Sequence, residues 1–89
     1  MSYNIALQLI IDEIRLMANE GSAPHDLAEK ALNEHTTINE LGLDSMSRLQ
    51  LITAVEDRAD VMLGDDDLHQ TTTIGDLAKV FASASKLGG

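Results

Sequence analysis

The chain has 89 residues, 44% of them hydrophobic, which is one small domain with enough apolar side chains for a core. Fifteen acidic against six basic residues give a net charge of −9, which argues against nucleic acid and anionic membrane surfaces as partners and for proteins with basic patches; acidity that only maintains solubility is the competing reading. No cysteine is present, so a disulfide framework and a thiolate metal site are excluded, and any thiol chemistry needs a thiol supplied from outside.

The aromatics are Tyr3 and Phe81, so the core must be aliphatic. Such a composition favours helices, and no alternating run of Val, Ile and Thr suggests a strand. Tyr3, Leu7, Ile10, Ile11, Ile14, Met17 and Ala18 recur at three- and four-residue steps and predict a first helix from Tyr3 to Asn19, with Ser2 as N-cap. Asn4, Gln8, Asp12, Arg15 and Asn19 take the opposite, solvent-facing side. Gly21 suits a left-handed C-terminal position, and Pro24 cannot continue the run.

The connection from 20 to 44 is too long to be structureless. Pro24 is expected to open a short helix with Leu27, Ala31 and Leu32 inward. Thr37-Ile38-Asn39-Glu40 fits a capping box that drops Ile38 and Leu41 onto the core, and Gly42 reverses the chain. A second long helix is predicted from about Ser45 to Asp60 with Asp44 as N-cap. Leu49, Ile52, Val55 and Ala59 form its stripe, widened by Leu51, while Arg48, Gln50, Thr53, Asp57 and Arg58 face solvent. Gly64 marks a break, and Asp65-Asp66-Asp67-Leu68-His69 reads as one helical turn with its acids near the N-terminus. The last helix starts at Thr73, where Thr73-Ile74-Gly75-Asp76 resembles a capping box. Its apolar face is Ile74, Leu77, Ala78, Phe81 and Ala82. Lys86 and Gly88-Gly89 close the chain, the terminal glycines as a frayed tail. Amphipathic helices of these lengths need one another, so the expectation is a small all-α bundle.

Little self-contained chemistry is on offer. Ser45 with a base from His25, His35 or His69 would be a hydrolytic arrangement, but all three histidines lie in polar loop segments and no Gly-x-Ser-x-Gly elbow is present. The consecutive acids Asp65 to Asp67 diverge and lack calcium-loop spacing, and the histidines have no ligand spacing, so no metal is expected. No run is long and apolar enough to span a membrane, and no basic-then-apolar segment opens the chain; a cytoplasmic monomer is the expectation. The start of the second helix remains. Its free N–H groups and partial positive charge suit an anion, so Ser45 is placed to carry a phosphodiester. Asp44-Ser45 as a plain helix cap is the other reading.

Leu41-Gly42-Leu43-Asp44-Ser45-Met46 closely resembles the phosphopantetheine attachment motif of acyl carrier proteins. The likeness continues through Thr37-Ile38 before it, through Leu49, Leu51, Ile52, Val55 and Glu56 after it, and through Leu63 with the Gly64-Asp65-Asp66 turn. It extends to Thr72-Thr73-Ile74 and Asp76-Leu77, without a gap from about Thr36 to Phe81. The resemblance implies a single discrete carrier domain over residues 1–89, ordered over about 3–86. Its fold would be a four-helix bundle with a long loop between helices one and two and a short helix three. It implies a covalent 4'-phosphopantetheine arm on Ser45, added from coenzyme A by a separate transferase, whose thiol carries acyl groups as thioesters. The chain would be a non-catalytic carrier. Asp44 would cap the helix where the transferase docks, and Leu43 and Met46 would flank the arm. Arg48 and Arg58 would meet partner enzymes, among them an acyl-loading enzyme and a ketosynthase.

One departure bears on the pathway. Fatty-acid members of the family have a strongly acidic second helix. Here residues 46–60 hold Arg48 and Arg58 against Glu56, Asp57 and Asp60, a net −1. Gln50 stands where those members usually have glutamate and Ala59 where they usually have an aromatic. This leads to the expectation of a carrier in polyketide or mixed polyketide–peptide synthesis. A fatty-acid carrier, a peptidyl or D-alanyl carrier and an unmodified helical adaptor are the alternatives.

Overall fold

The computed structural model describes residues 1–64 and 71–84. Within them the chain is all-helical: α1 (Tyr3–Glu20), 3-10 turns over His25–Ala28 and Asn39–Leu41, α2 (Ser45–Ala59) and α3 (Ile74–Ser83). The expected turn over Asp65 to His69, where a short third helix of the bundle would lie, and the tail with Lys86, Gly88 and Gly89 fall outside the described residues.

α1 begins where Ser2 Oγ accepts the Ile5 N–H at 3.2 Å. It ends at Gly21, whose φ of 87° is a left-handed conformation that glycine adopts at little cost. Ile10, Ile14, Met17 and Ala18 are fully buried, and Tyr3, Leu7 and Ile11 pack on the flank of the core. Ala6 and Glu13 complete the buried face. Arg15 departs from the expected solvent side. Its Nη1 donates to the carbonyls of Leu27, Ala28 and Lys30 at 3.1–3.2 Å. A guanidinium offers several donors in a fixed fork, and here it gathers the carbonyls that the first 3-10 turn leaves open. That turn buries Leu27. Ala31, expected inward, is exposed, because the turn closes at Ala28 before the chain reaches it.

Thr37 and Glu40 form the expected reciprocal pair: Thr37 Oγ1 accepts the Glu40 N–H at 3.2 Å, and Glu40 Oε2 accepts the Thr37 N–H at 2.6 Å. Thr73 and Asp76 repeat the device at the start of α3. An antiparallel bridge between Thr37 and Thr73 joins the two capped starts, with Ile38 N–H donating to Thr72 O and Ile74 N–H to Thr36 O. Gly75 completes the junction. Its N–H donates to Glu34 O at 3.0 Å, and a Cβ there would lie 2.7 Å from that same oxygen.

α1 packs on α2, α3 and the first 3-10 turn. Phe81, Leu27, Leu41, Leu51, Ile74 and Leu77 fill the centre. The stripe of α2 is Leu51, Ile52 and Val55. Leu49, expected in the core, is exposed. Leu51, Ile52 and Val55 make the buried face, and Leu49, although three residues before Ile52, falls on the side of Ile52 away from Leu51 and Val55 and so outside that face. Arg58 is also not simply solvent-facing, since its Nε lies 3.1 Å from Oε2 of buried Glu13.

Candidate functional site

The approach to α2 is set by Gly42, Asp44 and Ser47. Gly42 has φ 67°, and a Cβ there would contact the Pro24 ring at 3.5 Å. Leu43 is half-buried against the core. Asp44 stays extended, and its Oδ1 accepts the Ser47 N–H at 2.8 Å. Ser47 Oγ in turn donates to Ser22 O at 2.8 Å, tying the first turn of α2 to the end of α1. That tie was not foreseen from the sequence, because a serine in a first helical turn carries no sign of a partner 25 residues away.

Between these anchors Ser45 is exposed. Its hydroxyl has no hydrogen-bond partner among the described residues. Met46 is 82% exposed, so its side chain is a surface feature and not core packing. Met46, Leu49 and Met62 border an open groove of about 960 Å³ along α2, with Gly21, Asp44 and Gln50 on its edges. Ser45 itself lines a smaller recess of about 250 Å³ with Ile38, Arg48, Leu51, Ile52 and Leu77, and Leu49 borders both depressions. Arg48 is exposed at its edge, and its Nη2 donates to Asn39 Oδ1 at 3.3 Å.

No base is brought to Ser45 among the described residues. His25 and His35 are exposed and line neither depression, and His69 lies outside the described residues. The described residues hold no cluster of metal-ligating side chains and no helix long and apolar enough to cross a membrane. What the arrangement offers is a free hydroxyl on a capped helix N-terminus, where backbone N–H groups and the helix dipole favour an anion.

The caps make an expectation for pH. The Ser47 N–H holds the Asp44 carboxyl below its ordinary range. The Thr37 N–H does the same for Glu40, and the Thr73 and Thr72 N–H groups for Asp76. A depressed carboxylate contributes stability that is full above its unfolded pKa and is lost as pH falls through its folded one. Thermal melts should therefore be flat from neutral pH down to about 5 and drop below about 4. Replacing Asp76 by Asn should flatten that drop. An acid limb unchanged by the replacement would remove Asp76 from the cause.

A family model described as "Phosphopantetheine attachment site" matches residues 25–81. The chain belongs to the acyl carrier protein family. Among relatives, the acyl carrier protein of Streptomyces coelicolor is 30% identical over 77 residues, 84% of this chain and 80% of the relative. That of Caulobacter vibrioides is 31% identical over 72 residues, 79% and 87% of the two chains. That of Phenylobacterium zucineum is 33% identical over 51 residues, 57% and 65%. No solved structure gives a significant match. The prosthetic group of this family is a covalently attached 4'-phosphopantetheine. Its carriers are generally non-catalytic, and they work with a modifying transferase and biosynthetic enzymes. The residues present fit such a group: an accessible hydroxyl, a helix start able to hold a phosphate, and apolar surface nearby at Met46 and Leu49.

Proposed function

We propose that Ser45 is the attachment residue and that this acyl carrier serves a polyketide or mixed polyketide–peptide pathway. The observation that carries the first part is the exposed, unbonded Ser45 hydroxyl at the Asp44-capped start of α2, inside the matched segment. The arm, when attached, supplies a thiol on which acyl groups are held as thioesters. The protein's own residues do the rest. Asp44 and Ser47 fix the helix start, Leu43 closes the core beneath it, and Asp44 with Met46 presents the surface on which a transferase docks.

The pathway reading rests on the partner face. The first turns of α2 expose Met46, Leu49 and Gln50 with Arg48 beside them, and its acids Glu56 and Asp57 come only toward the far end of the same groove. Such a face suits partners that read apolar surface at the centre and charge at the rim, and a fatty-acid synthesis carrier is the competing assignment.

Attachment is tested by intact mass after incubation with coenzyme A and a broad-specificity phosphopantetheinyl transferase. The wild type should gain one phosphopantetheinyl group and Ser45→Ala none; a gain that survives the substitution would move the site elsewhere. The partner face is tested at Arg48. Arg48→Glu should slow loading by the cognate acyl-loading enzyme more than it slows arm attachment, and equal loading rates would remove Arg48 from that surface.

A further inference from the structure

Arg48 occupies an unusual place on α2. Arg48, Leu51, Ile52 and Val55 follow the i, i+3, i+4, i+7 spacing of one helix face. The last three are buried, so an apolar residue at 48 would extend the stripe by a turn into the recess with Ile38 and Leu77. A guanidinium stands there instead. It bonds only the neutral amide oxygen of Asn39, at 3.3 Å, and no carboxylate pairs with it among the described residues. The other two arginines are committed, Arg15 to three carbonyls and Arg58 to Glu13. Arg48 is also three residues after Ser45, which puts the two on neighbouring turns with Cβ atoms about 5–6 Å apart.

We propose that Arg48 is the counter-ion of the arm's phosphodiester and that it fixes the side of α2 from which the arm leaves the protein. The inference rests on the Ser45 assignment above. A phosphate on Ser45 Oγ sits within reach of the guanidinium, which pairs with phosphate oxygens through parallel N–H donors. The helix start attracts the phosphate along the axis and has no preference around it. Arg48 supplies that preference. It draws the phosphate toward Asn39 and the recess, and away from the groove bordered by Met46 and Met62. The outer groove is thereby left open for a partner while the arm's first bonds lie over the recess.

The test uses the full chain in apo and holo forms of the wild type, Arg48→Gln and Arg48→Lys, each confirmed by intact mass. Arg48 is exposed, so the apo variants should melt close to wild type. Arm attachment should raise the melting temperature of the wild type by about 2–4 °C more than that of Arg48→Gln at low salt. The excess should vanish at about 1 M salt, and Arg48→Lys should keep part of it. The 31P resonance of the holo wild type should differ from that of holo Arg48→Gln. Equal gains in wild type and Arg48→Gln at low salt overturn the proposal whatever the other readings. A wild type that takes no arm at all overturns the Ser45 assignment itself, which is a separate and recognisable failure.

Discussion

Phe81→Ala should cost about 3–5 kcal/mol of folding stability. Phe81 is fully buried and is the largest such side chain. It lies in the last turn of α3, so its ring holds α3 to the rest of the core. Domains of this size have roughly 4–13 kcal/mol in total, from about 0.05–0.15 kcal/mol per residue. The loss should lower the melting temperature by roughly 15–30 °C. Far-UV circular dichroism melts would measure it. Phe81→Leu keeps most of the volume and should cost no more than about 1.5 kcal/mol. The contrast matters more than either value. If the two substitutions cost the same small amount, α3 is not docked through Phe81, and Leu77, which lines the recess beside Ser45 from the same helix, is not placed as described.

The helix starts were legible because capping is local chemistry. Ser2, Thr37 with Glu40, Asp44, and Thr73 with Asp76 each lie within three residues of the N–H they satisfy, so the pattern is written in adjacent positions. Gly21 and Gly42 were legible for the same reason, since a chain reversal after a periodic run calls for a left-handed residue. The resemblance of Leu41 to Met46 to an attachment motif was legible from adjacent residues, and the structure adds that the Ser45 hydroxyl is exposed and the Asp44 carboxylate engaged. What escaped reading was long-range. The phase of the α2 stripe depends on which face meets α1, and four apolar residues at 49, 51, 52 and 55 allow two neighbouring phases. Burial of Leu51 and exposure of Leu49 settle it. Arg15 looked solvated because nothing in its own helix reveals three carbonyls brought in from residues 27–30. The bridge from Thr37 to Thr73 spans 36 positions and leaves no periodic trace.

Arg58→Glu should be the most damaging charge reversal on α2, and for a reason unrelated to partners. The Glu13 side chain is 7% exposed, and its Oε2 lies 3.1 Å from Arg58 Nε as an ion pair, without an aligned hydrogen bond from Arg58 or any other group among the described residues. Desolvation makes an unpaired carboxylate in that position costly, and breaking a fully buried pair costs about 3–5 kcal/mol. The Arg58 side chain is 47% exposed, so water screens part of the loss, and Arg58→Ala should cost about 2 kcal/mol. Arg58→Glu adds repulsion between two carboxylates and should cost more. Glu13→Gln in the same chain should recover most of that difference, which a double-mutant cycle would read as a coupling of about 1–2 kcal/mol. Glu13→Leu with Arg58→Met should be near neutral, because well-packed apolar side chains need no counter-ion. In the apo protein Arg48→Glu, on an exposed side chain outside any ion pair among the described residues, should change stability by no more than about 0.5 kcal/mol. An Arg58→Glu protein that melts like wild type would show that Glu13 is not held by Arg58. If the stability loss is found, slower acyl loading of the Arg58 variant reports on a loosened α1–α2 contact as much as on a lost partner contact. Arg48 is then the position at which charge on α2 can be changed without moving the helix that presents Ser45.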